Sequence, residues 1–152
     1  MKKVLFVCSG NTCRSPMAKA IMQKLLDTEN YDDIAVESAG LFTSEGLPAS
    51  EAAITVMKDI DIDISGHSSQ VISEALIAEA DLIFTMTKGH QRYLTELFPE
   101  KACQTFTLGE FIGQPYREIS DPYSMDLDVY RKSSQELKEI LTIVIKILLK
   151  DK

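Results

Sequence analysis

The stretch VLFVCSGNTCRSPMA, residues 4–18, decides how the rest of the chain is read. Its first four residues are all apolar, as in a strand covered on both faces. Cys8 ends that run, five residues follow, and Arg14 stands just before Ser15-Pro16. A Ser-Pro pair reads as a helix start, with Ser15 as cap and Pro16 at the first helical position. Ala18, Ile21, Met22 and Leu25 then recur at helical spacing. A strand, a tight loop and a helix N-terminus make an anion cradle, because backbone N–H groups converge there and the helix dipole adds positive potential. Gly10 keeps a Cβ away from the ligand, and the Arg14 fork can hold two phosphoryl oxygens. The same field suits a thiolate at Cys8, which makes Cys8 a candidate nucleophile for phosphoryl transfer. Such a site needs no metal, since Arg14 and the amides supply the charge stabilisation. With three Cys and four Arg in the chain, a Cys-X5-Arg spacing arises by chance in about one chain in ten. Its place between a buried strand and a helix start carries the reading. The alternative is a buried thiol with a surface arginine.

The remaining chain supports an α/β domain. Segments 2–8, 34–38, 81–85 and 105–108 read as strands, with Ala39-Gly40 turning out of the second. Segments 50–58, 73–80 and 91–97 read as helices, and DIDIDISGHSSQ, residues 59–70, as a connection. From Asp126 on, Leu137, Ile140, Leu141, Val144, Ile145 and Leu148 recur with a period near 3.6, giving a long amphipathic helix. Strands alternating with helices imply a three-layer architecture, a parallel sheet with helices on both faces. Ligands bind beyond the carboxyl ends of such strands, where Cys8 falls. The 152 residues are expected to form one domain, 1–152, with no repeat or linker.

Composition narrows the partners. A net charge of −7 weighs against nonspecific nucleic-acid or anionic-membrane binding. Three cysteines without scaffold spacing point to a reducing, cytoplasmic setting, and Cys103 reads as structural. His67 and His90 lie far apart in sequence and no cysteine pair has zinc spacing, so neither metal nor cofactor is expected. The N-terminal apolar run is too short for a signal peptide, and Lys146 interrupts the C-terminal one, which reads as a buried helix.

A cysteine mechanism needs an acid for its leaving group. In the loop 113–123, SDPYS offers Asp121 beside a rigid Pro122 and an aromatic Tyr123. Asp-Pro in a loop is by itself usually a turn.

Together, VCSGNTCRSPMA and the distant DPY resemble the low-molecular-weight protein tyrosine phosphatases over the whole chain. The resemblance implies a four-stranded parallel sheet, a Cys8 nucleophile, phosphate binding by Arg14 and the loop 9–15, and Asp121 as general acid, then base. It further implies that Ser15 assists the thiolate and that Asn11 holds the loop in a strained shape. Ser38 and His67 would support the loop. Cys13 would form a reversible disulfide with Cys8 that protects it from overoxidation. Phosphorylated proteins would be the partners, and the enzyme a monomer or weak dimer. Two departures stand out: Ser124 and Met125 follow Tyr123, and Ser9 replaces a bulkier apolar residue of many tyrosine-selective members.

Thr12 stands where many tyrosine-directed members have an aliphatic residue, and so resembles the bacterial protein-arginine phosphatases of this family. A phosphotyrosine ring fits a flat apolar slot, whereas a phosphoarginine carries a polar guanidino group that tolerates a neighbouring hydroxyl. Thr12 and Tyr123 are therefore the candidate specificity residues. An arsenate reductase on the same fold would need more redox cysteines than Cys103 provides. A catalytically silent phospho-side-chain binding module would not need nucleophile, arginine and acid together. Nucleotide binding is unsupported by the glycine pattern.

Overall fold

A computed structural model describes residues 2–122 and 126–150. Its sheet holds β1 (Lys2–Cys8), β2 (Ile34–Gly40), β3 (Leu82–Thr85) and β4 (Thr105–Thr107), all parallel, in the order β2-β1-β3-β4. The helices are α1 (Arg14–Thr28), α2 (Glu51–Lys58), α3 (Glu74–Glu79), α4 (Lys88–Leu97), α5 (Leu108–Phe111) and α6 (Leu127–Leu149), with a 3-10 turn at Pro99–Gln104.

β1 is central and its side chains alternate between two cores. Val4, Phe6 and Cys8 join one formed with α1 and α6, including Met17, Ile21, Leu137, Leu141 and Val144. Leu5 and Val7 join the other, with Ile77 of α3 and Leu94 of α4. This double burial is why the strand reads as an unbroken apolar run. Parity also puts Cys8 on the α1 face, and a one-residue slip would turn it to the other. α6 buries Leu137, Ile140, Leu141, Val144 and Ile145, as its period requires. Among the described residues no helix is long and apolar enough to cross a membrane.

Several boundaries depart from the sequence reading. Ser15 does not cap α1: the helix starts at Arg14, no side chain caps it, and the Ser15 hydroxyl is engaged with Cys8 and Asn11. Pro16 is its third residue, still within the turn whose N–H groups lack helical partners. β2 does not turn at Ala39-Gly40 but runs through Gly40, which pairs with Cys8 and accepts a hydrogen bond from the Ile72 N–H. α4 begins three residues early because Thr87 caps it. Leu108 leaves β4 to open α5, capped by Thr107. Cys103, read as structural, is exposed in the 3-10 turn and packs into no core.

Candidate active site

The loop 9–13 leaves β1 at its carboxyl end and closes over Cys8, whose side chain is buried at the base of a cleft of about 410 Å3. Cys8 Sγ shares a 2.9 Å hydrogen bond with Ser15 Oγ and receives one from the Asn11 backbone N–H at 3.3 Å. Asn11 Nδ2 donates to the same Ser15 oxygen at 2.8 Å, so the serine's own proton is free to point at sulfur. Two donors then converge on Sγ, an arrangement suited to an anionic acceptor.

Asn11 is the frame of the loop. It sits at φ 56°, a left-handed conformation that asparagine tolerates. Besides Ser15, Nδ2 donates to Ser38 Oγ at 2.9 Å, Oδ1 accepts from the Gln70 N–H at 2.9 Å, and the carbonyl accepts from His67 Nε2 at 2.7 Å. His67 is therefore the Nε2–H tautomer when neutral. Burial lowers its pKa, against the pull of that carbonyl. Gly40 closes the frame: a Cβ there would meet Thr43 Cγ2 at 2.8 Å and the Ser9 carbonyl at 2.9 Å. At Gly10 a Cβ would meet only Thr12 Oγ1, at an ordinary 3.5 Å, so the protein itself leaves room there.

Arg14 is buried in the first turn of α1. Its Nη1 donates to the Ile119 carbonyl at 2.9 Å, and its Nη2 lies 3.7 Å from Asp121 Oδ2. The Ile119 N–H in turn donates to the Met86 carbonyl at 3.0 Å, so the loop before Asp121 is tied to both β3's exit and Arg14. Asp121 is half exposed at the cleft mouth. Cys8, Ser9, Gly10, Thr12, Cys13, Arg14 and Asp121 thus share one cleft, with Phe42, Thr43, Ser44 and Leu47 as its outer wall. Thr12 Oγ1 lies 3.8 Å from Cys13 Sγ. Cys13 is buried at 3.3 Å from the Tyr130 hydroxyl of α6 and 3.6 Å from Ser50 Oγ. Burial, then the Cys13 contact, push the Tyr130 phenol up to about 12. Tyr123 lies outside the described residues, as do Ser124 and Met125. Among the described residues no group of three or more His, Cys, Asp or Glu could hold a metal ion.

Sequence reasoning missed Gln70, Gly40, the Phe42 wall and His90. His90 is buried, and its Nε2 lies 2.9 Å from Ser9 Oγ. Burial first, then the Arg14 charge, bring its pKa down to about 4, partly offset by Asp121 and Glu118. No local motif marks Gln70 or His90, whose partners Asn11 and Ser9 lie 59 and 81 residues away.

Comparison with known proteins gives the site its context. The family model described as low molecular weight phosphotyrosine protein phosphatase matches residues 3–152. A protein-arginine-phosphatase of Geobacillus stearothermophilus is 40% identical over 139 residues, 91% of this chain and 90% of its own length. The crystal structure of a low molecular weight protein tyrosine phosphatase from T. tengcongensis superposes with a TM-score of 0.91 at 41% identity, covering 96% of this chain and 99% of the other. A mutant YwlE arginine phosphatase with a phosphorylated active-site serine superposes with a TM-score of 0.94 at 33% identity, covering 99% and 97%. With that match over nearly its full length, the chain belongs to the low molecular weight phosphotyrosine protein phosphatase family.

Proposed function

We propose that this protein is a cysteine-dependent phosphatase that hydrolyses phosphorylated protein side chains, phosphoarginine and phosphotyrosine, through a phosphocysteine intermediate. The observation that carries this is the convergence of Cys8 Sγ, the Arg14 guanidinium and the Asp121 carboxyl in one cleft at the end of β1. Arg14 and the amides of the loop 9–15 take the phosphoryl oxygens. The Cys8 thiolate forms an S–P bond as the P–N or P–O bond breaks, and the Asp121 proton passes to the leaving nitrogen or oxygen. Water then attacks phosphorus, Asp121 takes its proton, the S–P bond breaks and inorganic phosphate leaves. Asn11, Ser15, Ser38 and His67 hold the loop for both steps. The phosphorylated serine of the YwlE mutant supports a phosphoenzyme in this family.

Thr12 supports phosphoarginine as the physiological substrate, because its hydroxyl sits in the cleft wall where an aryl ring would take an aliphatic neighbour. The test is hydrolysis of matched phosphoarginine and phosphotyrosine peptides by the wild type and Thr12→Ile. The substitution should shift the ratio of kcat/KM toward phosphotyrosine, and an unchanged ratio removes Thr12 as a selector. Cys13 would serve as the partner of an oxidised Cys8, in a reducing, cytoplasmic setting. Apart from Cys8 and Cys13, no described cysteine lines the cleft, which supports hydrolysis over arsenate reduction.

A further inference from the structure

β1 and β3 are neighbours whose chains leave in opposite directions across the sheet, so a crevice opens beyond their carboxyl ends. One hydrogen bond spans it. His90, in the first turn of α4, reaches Ser9 on the loop after β1, a partner 81 residues away. Thr87 fixes the start of that turn by accepting the His90 backbone N–H. His90 is 8% exposed, and its Nδ1 is buried without a hydrogen-bond partner among the described residues. No step of the proposed reaction uses it, yet burying an imidazole costs free energy unless its polar atoms are employed.

The ring's protonation follows from its surroundings. Burial and the nearby Arg14 charge keep it neutral. A proton on Nδ1 would be a buried donor without an acceptor, in the positive field of Arg14. A proton on Nε2 donates to Ser9 Oγ and leaves only a lone pair at Nδ1, which that field favours. The Nε2–H tautomer is therefore assigned on energetic grounds. Ser9 Oγ, having accepted that bond, keeps its own O–H and a lone pair for the cleft it lines beside Cys8.

We propose that His90 is a positioning residue for substrate selection: it holds the Ser9 hydroxyl at the cleft wall, where the oxygen accepts an N–H of a phosphoguanidino group. An aryl phosphate has no such N–H to offer and gains little from the same hydroxyl. This inference rests on phosphoarginine being a substrate. It extends the selection from Thr12 to a second, buried pair that spans the crevice.

The experiment measures kcat/KM on phosphoarginine and phosphotyrosine peptides of one sequence, for wild type, Ser9→Ala, His90→Leu, His90→Gln and Ser9→Ala/His90→Leu. His90→Leu should lower phosphoarginine turnover about tenfold, the effect of one lost hydrogen bond, and change phosphotyrosine turnover less than threefold. His90→Gln, whose amide can donate in place of Nε2, should recover most of the loss. The double variant should be no worse than Ser9→Ala. Equal losses on both substrates, failed recovery by a folded His90→Gln, or additive effects would overturn the inference. If His90→Leu does not fold, His90→Asn, too short to reach Ser9, takes its place in the same comparison. A wild type that hydrolyses only phosphotyrosine overturns this inference and leaves the phosphatase reading intact. A wild type that hydrolyses neither peptide overturns that reading.

Discussion

Asn11 uses its whole side-chain amide inside the protein, donating to Ser15 and Ser38 and accepting from Gln70. Asn11→Ala would leave the partly buried Gln70 N–H and two hydroxyls short of partners and would put at φ 56° a residue with no side-chain amide to hold that conformation. The expected cost is about 2–4 kcal/mol of stability, with a fall in kcat of more than tenfold, read from thermal melts and p-nitrophenyl phosphate turnover. Cys8→Ser should abolish that turnover, and retained activity would remove the phosphocysteine mechanism. Asp121→Asn should slow poor leaving groups far more than p-nitrophenolate, which needs little protonation. Cys8, Arg14 and Asp121 were legible because each carries its chemistry in its own side chain, at a strand end, a helix start or a turn. Gln70 was not, because what it gives the loop is a backbone N–H to a partner 59 residues away. His90 was not, because a lone histidine says nothing of the serine it faces.

At the scale of elements, two glycines hold the site together. Gly40 lets the end of β2 lie against the loop 9–13. Gly40→Ala would push a Cβ into the Ser9 carbonyl and Thr43, costing about 1–3 kcal/mol and displacing Ser9 and Asn11. Turnover should fall more steeply than the thermal midpoint, and a variant with wild-type kcat would show that the loop does not depend on this packing. Gly109, in α5, packs against the carbonyls of Gln114 and Arg117, just ahead of the segment that carries Ile119 to Arg14 and Asp121. Strand and helix cores were readable locally, β1 from its unbroken apolar run and α6 from its helical period. α5 was not, since four residues are too few to show a period, and its start depends on the Thr107 cap. The Ser15-Pro16 signal located α1 correctly but misassigned Ser15, whose hydroxyl was claimed by Cys8 and Asn11 across the loop.

For the molecule as a whole, pH links the site to stability. Burial depresses both His67 and His90, the latter to about 4. Between that value and the ordinary histidine range near 6.5, the unfolded chain binds protons that the folded protein does not. Stability is therefore fully present above about pH 6.5 and is lost as the pH falls toward 4. Thermal midpoints should drop across that window, and His90→Gln should flatten the drop. An unchanged slope would mean that His90 is not neutral in the fold. The sequence by itself determined the layered α/β class, the buried β1 and the long amphipathic α6, and it picked out Cys8, Arg14 and Asp121 as the candidates that the structure brings into one cleft. These follow from local periodicity and from side chains whose chemistry is intrinsic. Only the tertiary structure decided which face of β1 carries Cys8, how Asn11, Gln70 and His67 brace the loop, and that His90 meets Ser9. Those facts depend on strand register and on crossovers that bring distant residues together, and no local pattern encodes them.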